Sequence, residues 1–238
     1  MPLSTIRLML VEATGRQDLL DTGMAIGADT LINEGQKLLD RRLDGSKSGA
    51  RYQIDIDLND ILVPIPKCRT IKRVFLYSGT ERVELIKKDI HELRSEYADK
   101  TSLIATAQPA YFSPIWARPY PEQVDPALFH QSWTFDDIIT TGHYTFNALL
   151  IMPPSDGDYT LDIWGNFYSD LLVNNADESY WTEVHPLLLV SAAMYRLECI
   201  YRNTEGQKDL MSTIDNDIRD ITKDVIEEDA EGRSVMKG

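Results

Sequence analysis

The chain has 238 residues, 43% hydrophobic and 26% charged, with a formal net charge of −14. That length suits one domain or two small ones, enough to bury roughly 70% of the unfolded surface, and no apolar run reaches the ~18 residues of a membrane span. Strong acidity without a Lys/Arg cluster argues against general nucleic-acid binding, in which cations replace counterions along the phosphates, although an acidic wall can still surround DNA that slides past it.

The first residues, MPLSTIRLMLVEATGR, lack the basic start and small-residue cleavage site of a signal peptide, so synthesis and retention in a cytoplasm are expected. Leu3 to Ala13 predicts a short helix with Ser4 or Thr5 near its cap and Gly15 at its end. A second helix is predicted over 30–43, with Asp29 as its cap, Leu31, Ile32, Leu38 and Leu39 as its apolar stripe, and Arg41 and Arg42 complementing the dipole in its last turn. Gly45 to Gly49 breaks that pattern, and from Arg51 the period becomes two: Tyr52, Ile54, Ile56 and Leu58 alternate with Gln53, Asp55 and Asp57.

Further strands are expected at 61–65, 70–77, 81–86, 103–107, 110–117, 143–151 and 158–167, with a helical turn within 87–100. PPSDGD, between Met152 and Tyr159, has the composition of a hairpin turn joining the last two strands. Residues 118–142 lack a period and exceed ordinary loop length, so this loop, with Trp133 and Phe135, is a candidate partner-contact surface. A helix starting at Pro186 is apolar over more than one face and is expected to be surrounded. The closing helix places Leu210, Ile214, Ile218, Ile221 and Val225 on one stripe; burying all five would contribute roughly 8–15 kcal/mol before ordering costs. Asp217, Asp220, Asp224 and Glu227 lie on its other side.

Catalytic groupings are scarce. His91, His130, His143 and His185 are far apart in sequence, with no i+3 or i+4 partner for a helical metal site, and no GxSxG elbow, P-loop or complete dinucleotide fingerprint occurs. Asp55 and Asp57 share a strand face about 7 Å apart, near Asp60, and read as a solvated face; SDGD at 155–158 lacks the terminal Glu of a calcium loop. Cys68 and Cys199 are too few and too dispersed for a disulfide framework or a zinc site and read as small core residues. No catalytic residue, metal or cofactor is expected.

The order of parts predicts an α+β fold in which terminal helices form a helical bundle around an inserted antiparallel β-sandwich-like domain: helices in 1–48, a β-rich domain over 49–170, helices over 171–229 and a short tail at 230–238. INEGQKLLDRRL, YTLDIWGNFYSDLLVNNADESYWTEVHPLLLVSAAMYRLE and the acidic closing helix resemble the head-to-tail adaptor (connector) proteins of tailed bacteriophages. The aromatic pair Phe167-Tyr168, the Asn-rich turn, Trp181 and Pro186 carry the likeness, which extends over 159–229 and 28–43.

This resemblance implies a ring of identical copies, typically twelve, seated beneath the portal protein in the virion neck, extending the DNA channel and offering a surface to tail or nozzle proteins. Double-stranded DNA would pass through without sequence-specific binding, and no membrane is involved. On the same analogy the tail would dock on the portal through Arg233, Val235 and Met236, and Asp217, Asp220, Asp224 and Glu227 would line the channel. Competing readings are a stopper-like or tail-completion neck protein, a metal-dependent accessory hydrolase using Asp55, Asp57 and Asp60, and a lectin-like module using Trp116, Tyr120 and Trp133.

Overall fold

The computed structural model describes residues 1–20, 26–43, 49–65, 67–97, 104–117 and 146–231. The fold is mixed α+β, with six helices and two mainly antiparallel sheets among these residues. The chain divides into two compact units, Met1–Ser48 with Tyr168–Gly238, and Gly49–Phe167.

In the helical unit, α1 (Leu3–Thr14) buries Leu3, Ile6, Leu10 and Val11 and is closed by Gly15 at φ 68°, left-handed backbone that glycine adopts without penalty. Neither Ser4 nor Thr5 caps it: Pro2 holds the cap position, and the amides of Leu3 and Ser4 donate to the carbonyls of Asp177 and Asn175 at 2.9 and 3.1 Å. A distant loop does the capping.

Helix α2 (Ala28–Arg42) starts two residues earlier than its composition predicts, with Gly27 as cap. Asp29 lies inside the first turn, where its carboxylate receives Arg7 of α1 in a two-pronged ion pair, one arm at 2.8 Å. Its acidity serves a cross-helix contact as well as the dipole.

Helix α4 (Tyr180–Val184) carries a reciprocal capping box between Ser179 and Thr182 and runs through His185 into α5 (Pro186–Tyr201), whose first residue is the proline expected there. α5 packs on α1, α2, α4 and α6 (Thr204–Glu231). Gly35 makes the α2–α5 approach possible, since a Cβ there would sit 2.8 Å from the amide nitrogen of Ala193. Contrary to expectation α5 is not enclosed on all sides: Leu188, Leu189, Val190, Ala192, Ala193 and Leu197 are buried, but Leu187 is 70% exposed and Ile200 and Tyr201 also face outward. In α6, Ile214 and Ile218 are buried, Leu210 and Ile221 are half-buried, and side chains are described as far as Lys223, short of Val225.

In the β unit, one sheet has the order β1 (Gly49–Ile56), β8 (Tyr159–Phe167), β3 (Cys68–Ser78), β4 (Glu81–Glu84), all antiparallel. The other has β2 (Leu62–Ile65), β7 (Phe146–Met152), β6 (Tyr111–Ala117), β5 (Ile86–Lys87), with only β5–β6 parallel. Both sheets contribute to one core, among them Ile56, Val63, Val74, Leu76, Phe112, Leu149, Ile151, Leu161 and Ile163. Ala148, Leu150 and Met152, the alternate residues of β7, join a second cluster beneath Leu93 of α3 (Ile90–Glu96), the helical turn expected within 87–100. A strand buried on both faces must be continuously apolar, which is why FNALLIM shows little alternation.

Two sequence expectations fail here. β7 and β8 do not form a hairpin: PPSDGD carries the chain from one sheet to the other. Within it buried Ser155 exchanges main-chain hydrogen bonds with Asp60 and Asn59 and donates its hydroxyl to the Gly157 carbonyl. Those turn residues suit a crossover as well as a hairpin, and composition does not say which partner a strand finds. Residues 104–107 are not a strand; the Ala107 amide donates to the Pro154 carbonyl of the crossover segment at 3.0 Å.

Candidate assembly surface

A row of polar side chains on α2 fastens the segment that leads into the helices. Asn33, Gln36 and Asp40, spaced by three and four, share a helix face. The Asn33 amide donates to the Leu172 carbonyl and its oxygen accepts the Leu172 amide, both at 2.9 Å. Gln36, 1% exposed, donates to the Asp170 carbonyl at 2.7 Å and accepts the Ser179 hydroxyl at 2.6 Å. Asp40 accepts three bonds, from the Ser169 amide and hydroxyl at 2.8 and 3.0 Å and from Nε1 of buried Trp181 at 2.7 Å.

Asp177 closes the next turn by accepting the amides of Val173 and Asn174, and these two bonds hold its carboxyl below the usual carboxylate range. The segment 168–182 is therefore fixed by charge-assisted and buried bonds, while Leu171, Val173 and Tyr180 within it, and Val184 and Leu187 just after, remain exposed. Exposed apolar side chains on an ordered frame are the usual material of association surfaces. The sequence signal for this latch is the trio of polar residues interrupting the α2 stripe; sequence reasoning passed over it.

Helix α6 holds ten acidic residues against three basic ones, a net −7 and half of the chain's −14. Asp217 is exposed; Asp220 is exposed too and paired with Lys223 at 2.8 Å, which lowers its pKa. Asp215 pairs with Arg42 of α2. Asp224 and Glu227 belong to the same helix, with side chains outside the described ones. Arg233, Val235, Met236, Trp133 and Phe135 lie outside the described residues, as do Tyr120, His130 and His143.

The other carboxylates, histidines and cysteines singled out in the sequence have separate surroundings. Asp55 accepts the Thr160 hydroxyl at 2.7 Å, Asp60 accepts the Asp57 amide at 2.8 Å within a turn, and no group of three or more His, Cys, Asp or Glu among the described residues is placed to hold a metal ion. His91 is exposed at the start of α3, and His185 stands 3.3 Å from the Tyr180 hydroxyl at the α4–α5 junction. Cys68 is buried, which pushes its thiol up to about 11 and makes it a poor nucleophile at neutral pH; Cys199 is half-buried beside Tyr195.

No helix among the described residues is long and apolar enough to cross a membrane. Compared with known proteins, the chain matches no family model and no curated relative.

Proposed function

We propose that the chain is a structural component of a tailed-phage virion, a head-to-tail adaptor whose copies form a ring beneath the portal, extend the DNA channel and receive the tail. In this reading α1, α2, α4, α5 and α6 are the helical bundle and the β unit is the inserted sandwich-like domain. The observation that carries it is the helical unit's division of labour. A latched segment holds apolar side chains outward for contact with other subunits, and one long helix concentrates half of the net charge. Repeated around a ring, the exposed carboxylates of α6, Asp217 and Asp220 among them, would give DNA a wall of like charge that does not hold its phosphates.

The test is to mix the purified chain with the portal protein of the same virus and image the product by electron microscopy. The expected image is a collar, twelvefold in the typical case, stacked under the portal. A chain that remains unattached to portals, or is missing from purified virions, refutes the proposal. Asp217→Lys with Asp220→Lys is expected to leave folding intact and slow genome ejection; normal ejection removes the channel-lining role.

A further inference from the structure

The crossover between the two sheets sets an aspartate directly before a glycine, Asp156-Gly157. In such a pair the glycine amide nitrogen can close a five-membered ring on the carboxyl carbon, and the glycine brings no β-carbon to obstruct it. Closure is slow in water and depends on whether both groups are free. The surroundings decide that.

The amide is free. Ser155, just before the pair, is fully buried, and its amide and carbonyl are joined to Asp60 and Asn59 at 3.1 and 2.8 Å. Asp156 itself is exposed and Gly157 half-buried. The Gly157 carbonyl accepts the Ser155 hydroxyl, but its amide donates to no acceptor among the described residues. A Cβ built on Gly157 would meet no heavy atom within 4 Å, so the space around this backbone is open. An unbonded amide beside open space is an available nucleophile.

The carboxyl, by contrast, is tied. Tyr159, the first residue of β8, donates its hydroxyl to Asp156 Oδ1 at 2.7 Å. A tied side chain samples fewer rotamers, and the rotamers lost to the tie are lost to ring closure.

We propose that Asp156-Gly157 is a site of spontaneous isoaspartate formation, slowed by the Tyr159 tie. The Gly157 nitrogen attacks Cγ of the protonated Asp156 carboxyl. The N–Cγ bond forms, the bond from Cγ to the hydroxyl oxygen breaks, and that hydroxyl leaves with the amide proton as water. Water then opens the cyclic imide. Addition at the side-chain carbonyl restores aspartate; addition at the main-chain carbonyl gives isoaspartate, with the backbone routed through Cβ and Cγ and a free carboxylate on Cα. Water is the one co-reactant. The product lengthens the crossover just before Tyr159, which β8 pairs with Ile56 of β1. This inference goes beyond the adaptor reading and stands without it.

The test incubates the full chain for weeks at neutral pH, folded or in guanidinium chloride. Proteolytic fragments are then read by electron-transfer dissociation, which distinguishes isoaspartate from aspartate. The sequence's other such pair, Asp44-Gly45, is scored separately in the same digest. Isoaspartate is expected to accumulate at Asp156 in the folded chain, several-fold faster in Tyr159→Phe and several-fold slower in Gly157→Ala, which the open space accommodates. Asp156→Glu, which would have to close a larger ring, should show none there. Circular dichroism checks that each variant is folded, and in guanidinium chloride the wild-type and Tyr159→Phe rates should converge. Absence of isoaspartate at Asp156 from the folded chain, while the denatured chain forms it, overturns the proposal. So do equal rates in folded wild type and folded Tyr159→Phe.

Discussion

Each unit contains a tryptophan whose indole donates to an aspartate, and the two pairs have opposite consequences. In the helical unit Trp181 is 1% exposed and its bond to half-buried Asp40 closes a network with half-buried Ser169. In the β unit Trp164 stands half in solvent, and it is the acid, Asp162, that is buried. The same contact is a clasp when the ring is inside and a mount when the ring is outside. A hydrogen bond's role follows from which partner is hidden, because the hidden one has no water to fall back on.

Removing each acid in turn is the most forceful way to break this comparison. Asp40→Ala leaves the Trp181 indole and the Ser169 amide and hydroxyl without their acceptor, two of the three donors held by the charged group at 2.8 Å or less. A loss of about 2–3 kcal/mol in denaturant-induced unfolding is expected, because the buried Trp181 donor is stranded next to the core whereas half-buried Ser169 can turn to water.

Asp162→Ala should cost less, about 1–2 kcal/mol, since Arg51 and Trp164 can turn to water. Its sharper signature is at the surface: Trp164 becomes more mobile and more accessible to acrylamide quenching. Equal losses in the two variants would show that burial of the ring does not separate the two roles.

Acid titration gives the smallest effect and the finest distinction. Burial alone would raise the Asp162 pKa, but the bonds from Arg51 and Trp164 and the charges of Arg51 and Arg82 outweigh it and leave it below the ordinary value. Asp177 is lowered by the amides of Asn174 and Val173. A carboxyl lowered on folding contributes its stability above the unfolded pKa of about 4 and loses it as pH falls through the folded value. Unfolding midpoints should therefore hold steady above that pH and drop below it, and Asp162→Asn should flatten the part of the drop that comes with the Trp164 fluorescence change.

Much of this architecture is legible in the residues. Period-two alternation from Tyr52 to Ile56 and the spacing of Ile214, Ile218 and Ile221 give the correct element types, and Pro186 marks its helix start. Pairing is less legible. Met152 to Tyr159 reads as a turn, yet nothing in PPSDGD says whether the next strand returns to its neighbour or crosses to another sheet. The placing of Arg51 and Arg73 on either side of Trp164 is invisible for the same reason: three residues over a hundred positions apart at the extremes become neighbours only through register. Asp29 has the chemistry of a cap, and only the position of Arg7 in space explains its use inside the turn. Asn33, Gln36 and Asp40 could have been noticed, because polar groups on a face next to an apolar stripe need partners.

The strands that open and close the β unit are neighbours, Gly49 standing opposite Asn166. During synthesis α1 and α2 leave the ribosome long before α5, and their union must span residues 49–167. Once β1 and β8 have zipped, the two ends of that span are side by side, and the effective loop shrinks to a few residues. By loop-closure entropy this removes about 3 kcal/mol from the cost of bringing α2 to α5. The β unit, folded first, would then act as a template that hands the late helices to the early ones.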